Sequence, residues 1–412
     1  MKFTYALLAA AALAGVSARA IYAPIPETDQ GKDFTTTLRA GYTYDTNIFG
    51  APAHTVIPTG NAQTVDVVPI SSSVWEVAPR LTYNHSLSDQ TFFSASYGLV
   101  LDEIVNRPGQ KWLPSHDLSL RLAHAFSQSS NIDLTESLSL ARNPEALLPL
   151  SGVPVNTDQS LTHNELDGRY VASLSPKAGI EVKARSTLFN YRNDALSRLL
   201  DRMENLYGVG ANYAVLPEFK AVAEIRHQDV YYRTDGDERK NKRSNYAMGG
   251  FDYAVAKKLT ITARAGAEWR ERVDAPDTTG PFAELSGEYH YSELSFITGG
   301  YAHTFDEASD PNTFTDEKVD RFFVNVQHSL TPLIVASASI DYEPAVLQAR
   351  PGLTPPAVNL HETTRRGGLA LTYLARKNWI ISATFDYDRV LSDEPSRSTE
   401  RKRVGINAAY TF

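Results

Sequence analysis

Cysteine is absent from this 412-residue chain, and long apolar runs are almost absent. Without cysteine there is no disulfide, no thiol nucleophile and no thiolate metal site, so stability must come from another source. Beyond the N-terminal segment no stretch approaches 18 consecutive apolar residues, which excludes a protein that spans a membrane with helices. The net charge of −8 argues against nucleic-acid binding, which needs a basic surface.

Recognisable catalytic motifs are missing as well. The ten histidines are scattered, and none belongs to an HExxH pattern or to an Asp/Glu–His pair at metal spacing. The sequence has no GxSxG elbow and no glycine-rich phosphate loop. We therefore predict no catalytic, cofactor-binding or metal-ligating residue and no enzyme. A Ser–His pair assembled across strands is the enzymatic alternative that the sequence leaves open.

The N-terminus has the pattern of an export signal. A positive start at Lys2 precedes the short apolar run 6–16, and Ala18 and Ala20 fit the small-x-small cleavage rule. We predict a signal peptide over 1–20, a short periplasmic segment over 21–33 and one β-barrel over 34–412. Losing two basic residues with the signal changes the net charge from −8 to −10. The segment 21–33 is too short for a plug or a periplasmic scaffold, which argues against an energy-coupled transporter.

The last residues alternate between apolar and polar side chains. Counting back by twos from Phe412 gives Tyr410, Ala408, Ile406 and Val404, whereas the intervening residues are small or polar. This pattern is typical of a strand with one face in lipid and one in water. A terminal Phe with Tyr410 resembles the assembly signal of bacterial outer-membrane barrels. The alternative is an ordinary last strand of a soluble β-sandwich.

Period-two alternation continues along the rest of the chain, for example over 34–44, 75–84, 259–270 and 379–388. Eight short connections alternate with nine longer ones, which predicts a single transmembrane antiparallel β-barrel of about 18 strands, with 16 possible. An even number places both termini at the short-turn, periplasmic side. The weakest alternation lies at 281–304. A soluble propeller is disfavoured because no blade repeat of about 40–45 residues is present.

A barrel of 18 strands is too wide to be filled by side chains, so its inward residues should be polar. The candidates for the pore lining are Arg39, Arg80, Arg121, Glu181, Lys183, Arg185, Lys220, Glu224, Arg226, Arg264, Glu268, Arg270, Glu284, Glu288, Asp341, Glu343, Arg366, Asp386, Asp388, Arg401 and Arg403. Both signs occur, so no strong ion preference is predicted. The alternative role is structural, with opposite charges pairing across neighbouring strands.

The third long connection, 141–159, is unusually apolar for a loop in solvent. We predict that it folds into the lumen, with Glu145, Leu147, Leu148 and Leu150 as constriction residues. The alternative is that this stretch packs onto other loops outside the membrane. The first connection, 45–70, is the longest and is expected to form a lid or a disordered tip.

The first strand runs into the sequence Tyr44-Asp45-Thr46-Asn47-Ile48-Phe49. A strand entering such a motif soon after a signal peptide resembles a family of outer-membrane β-barrel porins found beside exopolysaccharide gene clusters. The resemblance implies an outer-membrane channel, and some members are thought to pass secreted polysaccharide. In physical terms, Asp45 and Asn47 can bond their own backbone in a turn, and Ile48 and Phe49 can hold the loop on the rim.

Together these features predict a porin-like channel for passive passage of small hydrophilic solutes or saccharides, located in the outer membrane of a Gram-negative-type bacterium. One alternative is the exit channel of an exopolysaccharide secretion system. Another is a surface barrel with a closed lumen whose loops bind a partner. The partners expected are outer-membrane lipid and the barrel assembly machinery, with small solutes or polysaccharide as cargo and a possible homo-oligomer. No cofactor is expected.

Overall fold

The computed structural model describes residues 33–52, 54–57, 63–66, 69–141, 160–233, 238–292, 294–376 and 378–412. The predicted signal peptide and the constriction candidates Glu145, Leu147, Leu148 and Leu150 lie outside the described residues, so both stay predictions. None of the helices in the described ranges is long and apolar enough to cross a membrane.

The described residues form strands joined by short connections. The first ten are β1 (Phe34–Asp45), β2 (His54–Ile57), β3 (Gln63–Asp66), β4 (Ser72–Ser88), β5 (Thr91–Ile104), β6 (Trp112–Ser127), β7 (Ser130–Ala141), β8 (Leu161–Ser173), β9 (Ala178–Tyr191) and β10 (Arg202–Ala214). The others are β11 (Phe219–Tyr232), β12 (Lys242–Ala256), β13 (Leu259–Arg272), β14 (Thr278–Ser292), β15 (Ser295–Asp306), β16 (Phe314–Thr331), β17 (Ile334–Ala349), β18 (Leu360–Arg376), β19 (Trp379–Ser392) and β20 (Thr399–Thr411). The helix α1 (Asp194–Leu200) and two 3-10 turns, Glu238–Lys240 and Pro395–Arg397, lie in connections.

Eighteen of these strands close into one antiparallel barrel. Each strand from β4 to β20 pairs with the next along the chain, and β1 pairs with both β4 and β20. The seam between β1 and β20 runs over nine residue pairs, from Thr37 opposite Thr411 to Asp45 opposite Arg403. The predicted fold and the count of 18 strands are confirmed, and the weak segment 281–304 forms most of β14 and most of β15. The soluble sandwich and the propeller are excluded by the closed ladder.

Connections alternate in length around the barrel as the sequence predicts. At one rim the connections contain two to four residues, and at the other they contain between five and 26, including the small hairpin of β2 and β3. In six of the eight short turns the pairing register shifts by one residue next to the turn, as at Ser86/Ser88 and Ala125/Ser127. Such bulges increase the local twist and bring two tilted strands into a tight reversal.

The outer face of the barrel carries an apolar belt between two bands of aromatic residues. Exposed aliphatic side chains occupy the middle of the strands, such as Val77, Ile225, Ile340 and Leu369. Exposed rings at the short-turn ends are Phe34, Tyr83, Phe126, Tyr213, Tyr289, Tyr373 and Trp379, and those at the long-loop ends are Tyr44, Trp75, Trp112, Tyr231, Trp269 and Tyr342. This order of aromatic, aliphatic and aromatic residues is that of an outer-membrane barrel, in which the rings lie at the two membrane–water boundaries.

The first long connection begins with a tight turn built by the Asp45–Phe49 motif. Asn47 donates its backbone N–H to Asp45 Oδ1 at 2.8 Å, and its side-chain oxygen accepts from the Ala51 N–H at 2.9 Å. Ile48 is buried against Ile104, and Phe49 packs beside them. The expected structural role of this motif is confirmed, because its polar residues shape the turn and its apolar residues hold it on the rim.

The same motif strengthens the seam. Asp45 at the end of β1 forms an ion pair with Arg401 of β20, and both residues are buried. Removing one partner of a buried pair leaves the other charge poorly compensated. A pair that is exposed to water contributes much less.

We predict that Asp45→Asn lowers the free energy of unfolding by roughly 3 kcal/mol. Urea titration of the barrel in detergent, followed by heat-modifiable migration on gels, measures this loss. The control is Arg39→Gln, which removes an ion pair with Glu76 in which the Arg39 side chain is 45% exposed. It should cost no more than about 1 kcal/mol. Equal losses in the two variants would contradict a special role for the seam pair.

Candidate functional site: the charged lumen

Charged side chains on the inner face pair with neighbours on adjoining strands. Arg121 of β6 holds Asp133 of β7, with its shortest contact at 2.5 Å. Arg264 of β13 binds Asp252 of β12 at 2.9 Å. Because an arginine can donate two parallel hydrogen bonds to one carboxylate, such pairs fix the geometry of the wall. The structural alternative proposed for the inward charges is therefore present throughout much of the lumen.

A longer chain of alternating charges follows the wall from β8 to β11. Arg169 contacts Glu181 at 2.9 Å, Glu181 contacts Lys183 at 3.1 Å, and Lys183 reaches Glu224 at 3.4 Å. Glu224 in turn binds Arg226 at 2.8 Å. The chain connects three strands that line one side of the lumen and places charges of both signs on the inner face.

Glycine makes one step of this chain possible. Lys183 and Glu224 lie on β9 and β11, with β10 between them, and the β10 residue opposite Lys183 is Gly208. A Cβ atom at Gly208 would already lie 3.5 Å from Glu224 Oε1 and from Arg226 Cγ. A longer side chain at this position would displace the ion pairs that cross β10.

A second, more buried cluster lies against the inner wall near the long-loop rim. Lys242 binds Glu307 at 2.8 Å and Asp316 at 3.2 Å. Arg270 binds Asp316 at 2.6 Å and Glu268 at 2.7 Å. Tyr232 donates its hydroxyl to Glu307 at 2.9 Å. All these side chains are almost fully buried, so the cluster is a packed polar layer on the inner side of β11–β13 and β16.

Glu307 belongs to the connection 307–313 between β15 and β16, and its ion pairs hold the start of that connection against the inner wall. Burial by itself raises the pKa of the Glu307 carboxyl, but Lys242 and Arg270 have the larger combined effect and lower it below its usual value. The carboxylate is therefore charged at neutral pH. Because folding lowers the pKa of Glu307, the ion pairs of this carboxylate stabilise the connection fully at pH values above the ordinary pKa of a glutamate. This stabilisation is lost as the pH falls through the lowered pKa.

Among the described residues, the connection 307–313 is thus held against the inner wall; it follows β15, the thirteenth barrel strand, and is the seventh of the nine long connections. The sequence pointed instead to 141–159, which lies outside the described residues and stays a prediction. Nothing in the composition of 307–313, which contains Asp, Ser, Pro and Asn, distinguishes it from a loop in solvent.

A cavity of about 240 Å³ lies inside the barrel at the seam and is lined by β19, β20, β1, β4 and β5. Its charged lining combines three arginines with four carboxylates, and Asn407, Thr43 and Thr384 add neutral polar groups. Ile48 and Ile104 close its end towards the first long connection. The charged residues are Arg39, Asp45, Glu76, Asp102, Asp386, Arg401 and Arg403.

The other residues predicted from sequence also lie on the inner face, most of them beside a partner. Arg80 donates to Ser96 at 3.1 Å, and Arg226 lies 3.9 Å from Glu284. Glu343 accepts from Arg321 and Arg366, and Arg403 lies 3.3 Å from Asp388. In the strand register, Arg185 lies opposite Asp167, Lys220 opposite Asp252, and Asp341 opposite Arg366. Glu288 contacts His290 near the short-turn rim.

Sequence reasoning missed several members of these networks. The missed residues are Asp45, Asp133, Arg169, Lys242, Asp252, Arg272, Glu307, Asp316 and Arg321. The alternation of inward and outward side chains along a strand would have identified Asp133, Arg169 and Arg321 as inward. Each of them lies an even number of residues from other polar positions of its strand. Glu307 carried no such signal, because it lies outside the strands.

The described residues contain no group of three His, Cys, Asp or Glu side chains that could hold a metal ion. No family model matches the sequence. No curated protein sequence matches it either.

Solved structures with a similar fold are outer-membrane proteins. The chain is similar to OpdK from Pseudomonas aeruginosa, with 10% identity over 92% of this chain and 99% of that one and a TM-score of 0.48. It is similar to OccAB3 from Acinetobacter baumannii, with 11% identity over 92% and 99% and a TM-score of 0.45. The siderophore receptor PirA from P. aeruginosa gives 9% identity, 92% and 80% coverage and a TM-score of 0.42. Similarities this distant assign no function.

We predict that Glu307→Gln loosens the connection 307–313 at neutral pH, because the neutral amide removes the charge that Lys242 and Arg270 hold. Hydrogen–deuterium exchange in 307–313, corrected for intrinsic rates, should be faster in the variant at pH 7. Below the lowered pKa of Glu307 the two proteins should converge. The control is Glu76→Gln, because Glu76 lies on β4, away from β12, β13 and β16, and its loss should leave exchange in 307–313 unchanged. Identical exchange in wild type and Glu307→Gln at pH 7 would contradict the anchor.

Proposed function

We propose that this barrel is a passive outer-membrane channel for small hydrophilic solutes. The observation that carries the proposal is the contrast between the two faces of one closed wall. The outside is an apolar belt bounded by aromatic rings, and the inside carries charged and polar side chains along most strands. A wall of 18 strands encloses more space than its own side chains fill, which supports a water-filled passage.

The lining favours solutes that carry both hydrogen-bond donors and hydrogen-bond acceptors over simple ions of one sign. Most inner charges are compensated by a partner of opposite sign within hydrogen-bond distance. A compensated wall produces only a weak net field, so it selects by hydrogen bonding and size more than by charge. The cavity at the seam contains arginines, carboxylates and Asn407, so such a solute can bind there transiently.

The predicted export signal, the assembly role of Tyr410 and Phe412 and contact with the assembly machinery remain part of this proposal. Supporting it, Phe412 is 62% exposed and its ring lies 4.7 Å from that of Tyr410 in an edge-to-face contact. No observation favours polysaccharide export over small-solute passage, so that alternative stays a prediction.

A closed lumen is the second candidate, and one feature favours it. The connection 307–313 and the buried cluster around Lys242 and Arg270 occupy part of the lumen near the long-loop rim. A barrel fully obstructed there would act through its surface loops.

We predict that the purified full chain gives stable, non-zero single-channel current in a planar bilayer, and that liposomes containing it swell in small sugars but not in large oligosaccharides. Boiled protein is the control for detergent leaks. A complete absence of current from natively folded barrels would overturn the channel and favour the closed alternative.

We further predict that the wild-type channel shows a small reversal potential in a potassium chloride gradient. Glu224→Gln should shift it towards anion preference, because Lys183 and Arg226 then lose their shared carboxylate. The matched control is Glu136→Gln, because Glu136 lies opposite Leu166 in the strand register and shares its outward face. If both variants shift the potential equally, the inner wall does not set selectivity.

A further inference from the structure

The outer face carries a cluster of basic residues at the long-loop ends of β18, β19 and β20. Strand parity places Arg365, Arg389 and Lys402 outward, because they alternate with inward Arg366, Asp388 and Arg403. Arg365 and Lys402 are exposed and Arg389 is half-buried. With Glu400 as the nearest outward carboxylate, three positive charges and one negative charge give this basic patch a net charge of +2.

The two arginines of the basic patch stand directly opposite each other. Arg365 and Arg389 are register partners on neighbouring strands. Like charges in such positions repel, which destabilises a sheet unless something lies between them. Among the described residues neither arginine forms an ion pair with a carboxylate, whereas Lys402 binds Glu400 at 2.8 Å.

Aromatic rings lie against two of the three basic side chains of the patch, one from the neighbouring strand β17 and one from β19 within the patch. The Arg365 guanidinium lies 5.8 Å from the ring centre of Tyr342, and the Lys402 ammonium lies 5.9 Å from that of Tyr387. Such contacts hold a cation near the surface without neutralising it. The rings therefore orient the charged groups and leave their hydrogen-bond donors available.

The apolar belt begins immediately below the basic patch on the same strands. Leu369 is 58% exposed on β18 and Val404 is 54% exposed on β20. Arg365 precedes Leu369 by four residues, which corresponds to about 13 Å along a strand. The patch thus lies at the height of lipid headgroups whose acyl chains would cover Leu369, Phe385 and Val404.

We propose that Arg365 and Arg389, assisted by Lys402, bind a phosphate group of a phosphorylated glycolipid in the outer leaflet of the outer membrane. A phosphate between two guanidinium groups accepts paired hydrogen bonds and removes their mutual repulsion. Carboxylates close to the patch are already engaged, since Glu400 is held by Lys402, and Asp393 on the loop above contacts His361 at 3.1 Å. This inference rests on the outer-membrane location and not on the channel activity.

The test compares lipid A carrying two phosphates with lipid A from which both phosphates have been removed. Binding to the full-length barrel in detergent is measured by native mass spectrometry at several lipid concentrations. Wild type should prefer the phosphorylated lipid at least about tenfold, since each basic group near a charged membrane surface contributes on the order of a fivefold change in binding. The double variant Arg365→Gln/Arg389→Gln should lose this preference, and Arg365→Lys/Arg389→Lys should keep part of it.

The matched control is Arg243→Gln, because Arg243 also lies outward near the long-loop rim but is paired with Asp229 at 3.1 Å. It should retain the wild-type preference. Retained preference in the Arg365/Arg389 double variant, or equal loss in Arg243→Gln, would overturn the proposal. If inorganic phosphate displaces the phosphorylated lipid at a concentration equal to that of the lipid, the ligand is a free anion. That result would also overturn the proposal. Lys402→Gln supplies a second measurement if the double variant does not fold.

Discussion

The closing pairing between β1 and β20 is the constraint on which the rest of the structure depends. Backbone N–H and C=O groups in lipid find no water, so any strand edge left open in the membrane would cost several kilocalories per mole for each unpaired group. Nine residue pairs at the seam remove that edge. The Asp45–Arg401 ion pair adds a side-chain contact between the same two strands at their long-loop ends. Alternation along each strand gives the wall an apolar exterior and a polar interior, and the closed ladder allows that wall to stand in lipid.

The interior of the barrel is organised by polar contacts, unlike the apolar core of a soluble protein. Its organisation comes from ion pairs across neighbouring strands, such as Arg121–Asp133 and Arg264–Asp252, and from the buried cluster around Asp316. The buried apolar clusters among the described residues are small, and three of them lie where connections meet the rim, as around Leu196 and Ile48. A carboxylate such as Glu181, held by Arg169 and Lys183, is at once part of the wall and part of the surface that a solute meets.

The sequence predicted the fold far better than it predicted the site. Alternation with period two, strengthened by Trp379 and Phe385 on one face, identifies strands because the side-chain direction alternates along them. It also separates inward from outward residues, which is why Arg264 and Glu343 were found. It does not give partners, because the contact of Lys183 with Glu224 depends on the register of two strand pairs and on the small Gly208 between them. Nor does it reveal which connection turns inward, since Glu307 gains its role only from cations on β12 and β13.

The position of the cavity at the seam has a consequence for biogenesis. Its lining comes from the first three and the last two strands of the barrel, so Arg39 and Arg403 are neighbours in space although they are 364 positions apart in the chain. A hairpin, a half-inserted sheet or any other open precursor lacks this compartment entirely. The cavity therefore exists only after β1 and β20 have paired, and an incompletely assembled chain does not bring these arginines and carboxylates together.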